Sequence, residues 1–133
     1  MSTQTEGAPL ERPDHGVSPR GHYLVVFASN KSSPRWKEWL ALSQEEWAAR
    51  DAVGLPLLAK WDRDHAADIV YGGGPLGPTR RATPEGVTTI VNELTVFMVI
   101  RAASHQAAAE LVKDHPHITH FPCDAAEVMP ILG

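Results

Sequence analysis

Segment 115–123, HPHITHFPC, holds three histidines and the single cysteine of the chain. Imidazole and thiolate are common ligands of transition metals, but the spacing matches no usual zinc pattern, so we expect no metal site. Pro116 disfavours helix at the residue before it. His115 is therefore predicted to end a helix, where its charge would be favourable against the helix dipole. The rest is predicted to be a loop into the last strand, with Cys123 a small buried residue rather than a nucleophile.

Three histidines are candidates for proton transfer, because the ordinary pKa of histidine lies near neutrality. His117 and His120 would act in this way if their loop faced a cleft. His65 follows two aspartates in the stretch WDRDH, where a carboxylate would orient the imidazole as in catalytic dyads. Each of them also has a simpler interpretation as a histidine of a loop or of a solvated helix end. The sequence leaves both alternatives open.

The stretch GGGPLG and its apolar neighbours supply candidates for ligand binding. Gly73 and Gly74 would let the backbone approach a ligand closely, although a tight turn is the simpler interpretation. The stretch lacks the Lys-Ser/Thr of a phosphate loop, so nucleotide binding is not expected. Trp61 and Tyr71 would suit an apolar pocket, although such aromatic residues are usually core. Arg101 ends an apolar strand and needs a carboxylate partner, in the protein or in a ligand.

The composition is that of one ordinary globular domain. The chain has 133 residues, 43% of them hydrophobic and 21% charged, with a formal net charge of -4. No basic run predicts nucleic-acid binding, and no apolar run approaches the roughly 20 residues of a membrane-spanning helix. The start of the chain lacks the apolar middle of a signal peptide, and one cysteine forms no internal disulfide, so we expect a cytoplasmic protein. Residues 1–21 are predicted to form a disordered arm and residues 22–133 the domain.

Four strands are predicted from apolar and β-branched runs. The two strongest lie over 22–29 and 93–102. A short strand, DIVY, runs into the glycines as a hairpin or bulge. The polar stretch TRRATPEGVTT that follows is the best candidate for a mobile flap. AEVMPIL is the closing strand, and its proline predicts an edge position.

Three helices are predicted from capping signals and periodicity. Ser33 is predicted to cap a short first helix, and the stretch SQEE carries a capping box for a longer second one. Pro56 predicts a kink or break near Gly54, after which the helix resumes to about residue 67. Ser104 is predicted to cap the third helix. The residues expected to point inward are Leu57, Leu58 and Trp61 of the second helix, and Ala107, Ala108, Leu111 and Val112 of the third.

The order strand, helices, strand, strand, helix, strand predicts an α+β fold. This is the ferredoxin-like plan, a four-stranded antiparallel sheet with its helices on one face. The apolar runs at 23–27 and 94–100 do not alternate with polar residues, which predicts burial of both faces of the central strands. Because the helices cover one face, the other needs a partner. Two sheets packed around a two-fold axis would satisfy it, so we expect a homodimer.

From about residue 44 to 132 the chain resembles the YCII-related family, which includes the DGPF-type proteins. The resemblance is carried by the GGPLGP turn, by a strand that feeds the helix SHQAAAELV, by the Pro-His segment and by the final EVMPI strand. It implies a dimeric α/β barrel. It also implies small-molecule chemistry, since a few members are enzymes, including a dehydrochlorinase of aromatic degradation, and a His/Asp pair has been proposed as the active site.

Two hypotheses follow. In the first, a homodimer binds a small organic molecule near GGGPLG and transfers a proton by elimination or isomerisation. One of the three candidate histidines is then the acid or base and Arg101 an anion anchor, with no metal or organic cofactor. In the second, a binding or accessory protein of the same fold has no turnover, and these polar residues seal the dimer. Neither hypothesis involves nucleic acid or a membrane.

Overall fold

Two apolar strands lie side by side at the centre of the computed structural model, which describes residues 18–133. The arm predicted over 1–21 lies outside the described residues as far as residue 17. Residues 18–21 form a turn, in which the Gly21 amide donates to the Ser18 carbonyl at 3.1 Å. The elements that follow are, in chain order, β1 (His22–Ala28), α1 (Pro34–Ala41), α2 (Gln44–Asp64), β2 (Ile69–Pro75), β3 (Thr79–Thr83), β4 (Gly86–Ile90), β5 (Leu94–Arg101), α3 (His105–Val112), α4 (Pro116–Thr119) and β6 (Ala125–Pro130).

The main sheet has the strand order β2-β5-β1-β6, and all its neighbouring strands are antiparallel. In the register of the centre, Val25 pairs with Met98 of β5 and with Val128 of β6. This order, with two helical connections, is the predicted ferredoxin-like plan, which is confirmed. The predicted edge position of the closing strand is also confirmed. The polar stretch expected to be a flap forms the separate β3–β4 hairpin.

One face of the sheet carries the core. The buried cluster combines alternate residues of β1 and β5 with residues of α2 and α3 and with Cys123. The opposite face carries the alternate apolar residues, since successive side chains of a strand point to opposite faces. Val26 is buried there, while Leu24, Phe97 and Val99 are half-buried. None of the helices in the described part of the chain has both the length and the apolar character needed to cross a membrane.

The predicted helix caps are confirmed. The Ser33 hydroxyl accepts a hydrogen bond from the Trp36 amide at 3.2 Å. Ser43 and Glu46 form the capping box at the start of α2, each side chain accepting from the amide of the other. Each pairing satisfies donors that a helix N-terminus leaves without a partner.

The predicted break near Gly54 is wrong, because α2 continues through Pro56 to Asp64. The proline removes one helical donor, but the carbonyl it would have paired with belongs to Ala52, which is exposed and accessible to water. Two further details differ. A separate single turn, Ala66–Asp68, follows α2. Leu57 and Ala107 were expected to point inward, but both are exposed.

Gly54 instead sets how closely α2 approaches the segment after α4. A Cβ at this position would lie 2.4 Å from Cζ of Phe121 and 2.6 Å from Cδ2 of His120. The His120 ring also donates from Nε2 to the Arg50 carbonyl at 3.0 Å. A glycine is therefore required for α2 to pack against the histidine segment at this distance.

The glycine run forms a bulge inside β2, one of the two outcomes predicted for it. The pairing of β2 with β5 shifts between Tyr71 and Gly74. Gly73 lies at φ 67°, and a Cβ there would lie 1.9 Å from the Phe97 carbonyl oxygen. Such a bulge bends the strand and leaves one residue unpaired.

Replacing Gly73 by alanine should lower the free energy of unfolding by more than about 2 kcal/mol, since it combines left-handed strain with a backbone clash. Urea unfolding measures this loss. Gly77→Ala is the matched control, since a Cβ at Gly77 meets no atom within 4 Å. Equal stability of the two variants would contradict the bulge geometry.

Candidate active-site cavity

A cavity of about 200 Å³ lies between α2, α4 and the helix-covered face of the sheet, beside the bulge in β2. Its wall is apolar on the sheet side and polar on the helix side. The apolar residues that line it are Phe27, Leu58, Val96, Phe97, Met98 and Pro75, the polar ones are Asp62, His115 and His117, and Gly72 and Gly74 complete the rim.

His115 sits at the N-cap of α4 rather than at a charged helix end. Its backbone is extended, Pro116 follows as the first helical residue, and its Nδ1 accepts a hydrogen bond from the His117 amide at 3.0 Å. The side chain is only 3% exposed. The predicted interaction of a charged His115 with a helix dipole is therefore wrong. Pro116 does exclude helix at His115, but it also starts the next helix, as proline does at a first helical position.

Aromatic rings enclose His115 on three sides. Its ring centroid lies 4.6 Å from that of Phe27, 4.4 Å from that of Trp61 and 4.8 Å from that of His117. Burial, with smaller contributions from the neighbouring His117 and His65, lowers the pKa of His115 to about 3. Burial alone lowers the pKa of His117 to about 4. Both imidazoles are neutral at neutral pH, because apolar surroundings disfavour the charged form.

Arg35, near the start of α1, holds the segment that carries these histidines. Its guanidinium donates to the carbonyl oxygens of Ile118 at 2.8 Å and Cys123 at 3.1 Å, and also to that of Phe121. It lies 3.9 Å from the Asp124 carboxylate. Ile118 belongs to the short α4, whose last carbonyls have no helical partner. One side chain thus satisfies three carbonyls of a tight loop.

The other predicted histidines lie outside the cavity wall. His120 donates to the backbone of α2, as described above. His65 donates from Nδ1 to the Trp61 carbonyl at 2.9 Å, and its ring stacks on the Trp61 indole at a centroid distance of 4.1 Å. Of the three predicted proton-transfer histidines, only His117 lines the cavity.

The predicted ligand-binding residues divide in a similar way. Gly74 lines the cavity, while Gly73 faces the β5 backbone. Trp61 is buried and reaches the site through its contact with His115. Tyr71 is 59% exposed and packs against Phe97. Arg101 donates to the Ala67 carbonyl at 3.2 Å, so its partner is backbone rather than a carboxylate.

Sequence reasoning missed three residues of the site region. It expected a carboxylate such as that of Asp62 to orient the His65 imidazole, whereas Asp62 lines the cavity with His117. It placed His115 at a helix end, and it gave Arg35 no role. The spacing of Leu58 and Asp62, four apart in one helix, was a signal that both share a face. The reach of Arg35 had no sequence signal, since its partners lie more than 80 residues away.

Cys123 is buried in the core, as predicted, and burial raises the pKa of its thiol. Over residues 18–133 no three His, Cys, Asp or Glu side chains are grouped so as to hold a metal ion. The cavity therefore offers proton-accepting and hydrogen-bonding groups, and a carboxylate, against an apolar wall.

Comparisons with known proteins give little further information. No protein-family model matches the sequence, and no curated protein matches it. Among solved structures, the chain is similar to 5-chloro-2-hydroxyhydroquinone dehydrochlorinase from Burkholderia phenoliruptrix, in complex with 2,5-dihydroxybenzoquinone. The alignment has a TM-score of 0.42 and 17% identity and covers 83% of this chain and 92% of that one. A likeness of this extent transfers neither an activity nor a ligand.

Stability should fall as the pH is lowered from about 7 to about 5. The unfolded histidines take up protons near pH 6.5, while the folded ones do so only near the lowered pKa values of about 3 for His115 and about 4 for His117. The unfolded state therefore binds more protons across this window, which costs about 2 kcal/mol for each histidine. Urea unfolding at the two pH values measures the loss. His117→Phe should remove about half of it. An unchanged loss in His117→Phe would show that His117 is not held neutral by burial.

Proposed function

We propose that the chain binds a small organic molecule in this cavity and moves a proton on it without a metal or organic cofactor. Elimination and isomerisation are the reactions of that kind. The observation that carries the proposal is a pair of neutral imidazoles, the buried His115 and the half-buried His117, on the wall of a cavity that is otherwise mostly apolar. A neutral imidazole can accept and donate a proton. Because it carries no charge, an apolar ligand can bind beside it without removing water from a charged group.

The size of the cavity supports a ligand built on one ring. An engineered apolar cavity of about 150 Å³ in another protein holds benzene, and this one measures about 200 Å³. Phe27 and Met98 offer apolar and aromatic contact to a flat molecule. The glycines of the bulge have no side chains that would fill the β2 side of the cavity.

His117 is the proton acceptor in this proposal. Its ring is neutral at neutral pH and keeps one nitrogen that can accept a proton, because burial lowers its pKa to about 4. The Asp62 carboxylate lines the same cavity, but burial is the one cause that shifts the pKa of His117, so Asp62 is assigned no contact with its ring. His65, His120 and Arg101 are assigned no step, since they lie outside the wall of the cavity.

The resemblance to the YCII-related family supports the same proposal. It covers β2, β5, α3 and the histidine segment, and it implies small-molecule chemistry with a His/Asp pair. His117 and Asp62 supply these two residue types in one cavity. Membership of that family is part of what is proposed.

A binding protein without turnover is the second candidate. One observation favours it: a histidine with a pKa of about 4 is a weaker base than one tuned to neutral pH. The two candidates share the cavity and differ only in whether His117 takes a proton.

A thermal-shift screen of single-ring molecules, including aromatic acids and lactones, should find ligands that stabilise the chain. Gly72→Leu should abolish their binding, since Gly72 lines the cavity and a Cβ there meets no atom within 4 Å. Gly77→Leu, outside the wall, is the matched control. His117→Asn should retain binding and lose any turnover of the ligands found. Binding that survives in Gly72→Leu would place the ligand elsewhere, and turnover that survives in His117→Asn would remove the proposed base.

We also propose that a second copy of the chain covers the open face of the sheet. The support is the apolar character of that face, where Leu24, Val26, Phe97 and Val99 adjoin the exposed Met129. A continuous apolar patch of this kind is typical of an interaction surface. A two-fold axis would bury it against itself.

Light scattering at micromolar concentration should give twice the 14.5 kDa of one chain. Val99→Glu should give the single-chain mass, because a carboxylate would be buried at the centre of the interface. Val53→Glu, on an exposed position of α2, should remain dimeric. A wild-type mass of one chain would refute the dimer and would leave the cavity proposal unaffected.

A further inference from the structure

We propose that His115 selects the ligand of the cavity, which takes uncharged single-ring molecules with a carbonyl-type oxygen that accepts a hydrogen bond from His115 Nε2. This inference rests on the proposed function, because it concerns the same cavity. It assigns His115, which the sequence pattern did not mark as a functional residue, as the group that determines specificity.

The tautomer of His115 is fixed by its own loop. Its Nδ1 accepts the His117 amide proton at 3.0 Å, so Nδ1 carries no hydrogen. A neutral imidazole carries one ring proton, which must then be on Nε2. The N-cap geometry of α4 therefore aims a fixed donor away from the helix.

That donor makes no hydrogen bond within residues 18–133, where the His115 ring is bonded through Nδ1. The residue is nevertheless only 3% exposed. A buried donor without an acceptor is unfavourable, because it has lost its hydrogen bonds to water. Because His115 lines the cavity, a bound ligand is the available source of an acceptor. A site built in this way discriminates strongly against analogues that lack the hydrogen-bonding atom.

The charges around the cavity favour an uncharged ligand. Both imidazoles of the wall are neutral, and the one ionisable carboxylate among the residues that line it is Asp62. Among residues 18–133, no lysine or arginine lines the cavity. Arg35 is engaged by the loop carbonyls, and Arg101 by the Ala67 carbonyl. An anionic ring would thus meet a carboxylate and no compensating cation, which raises the cost of burying it.

The same donor fits the proposed proton transfer. When His117 takes a proton from the carbon next to a carbonyl, the C–H electron pair forms a carbon–carbon double bond, and the carbonyl π pair moves to the oxygen. A hydrogen bond from His115 stabilises the charge that develops there. Return of the proton from His117 to another carbon completes an isomerisation, and departure of a leaving group from the next carbon completes an elimination.

The test compares benzaldehyde, styrene and benzoate by NMR titration of amide shifts in the intact chain. Benzaldehyde and styrene have nearly the same shape, and only benzaldehyde has an acceptor oxygen. Benzaldehyde should bind at least roughly ten-fold more tightly than styrene, which corresponds to about 1.4 kcal/mol. Benzoate should bind more weakly than benzaldehyde.

His115→Asn tests the residue itself. Asparagine is a favoured N-cap, so its side-chain oxygen can still accept the His117 amide, while the Nε2 donor is lost. The preference for benzaldehyde over styrene should fall to roughly two-fold or less. His120→Asn, outside the wall, should keep the wild-type preference.

Four outcomes are distinguishable. Equal binding of benzaldehyde and styrene to the wild type overturns the role of His115. Binding of benzoate more tightly than either neutral ring overturns it too. Both outcomes leave the cavity proposal intact. A preference that persists in His115→Asn also overturns it. If neither neutral ring shifts the amides around the cavity, the proposed function fails as well. The wild-type comparison needs no variant, so it holds even if His115→Asn does not fold.

Discussion

The hydrogen bond from the His117 amide to Nδ1 of His115 joins the fold of the loop to the chemistry of the cavity. It caps α4, and it fixes the only donor that a neutral His115 retains on Nε2. Burial against Phe27 and Trp61 keeps the ring neutral, so the loop presents a fixed dipole instead of a charge. The polar wall of the cavity therefore depends on the helix cap His115, which lies three residues after the end of α3 at Val112.

Two contacts from other parts of the chain keep this loop in place. Arg35 binds carbonyls of α4 and of the segment after it, and hydrogen bonds to a charged donor are about twice as strong as neutral ones. Gly54 lets α2 approach close enough for His120 to donate to its backbone. The first half of the chain thus positions the histidines of the second half. The cavity lies between the histidine segment, which packs against α2, and the bulge around Gly73.

The fold was predictable because its signals are local. The apolar runs of β1 and β5, the hydroxyl caps and the glycine bulge each depend on residues within a few positions, and each is confirmed. The errors occurred where distant contacts decide. Pro56 stays within α2 because an exposed helix tolerates the lost donor. His115 is neutral because Trp61 and Phe27 bury it, and its sequence neighbours do not reveal that burial. Among the three histidines proposed for proton transfer, the sequence could not choose His117, because a cavity is a property of the packed chain.

The central claim is that His115 is a neutral Nε2 donor held by its loop. Nitrogen NMR of the chain labelled with ¹⁵N-histidine, recorded from about pH 7 to about pH 5, tests it most directly, since the ring nitrogens report both the tautomer and the charge. The account predicts that His115 stays in the neutral form with the proton on Nε2 throughout, in keeping with its pKa of about 3. Protonation of His115 near pH 6.5, the ordinary value for histidine, or a neutral form with the proton on Nδ1, would contradict it.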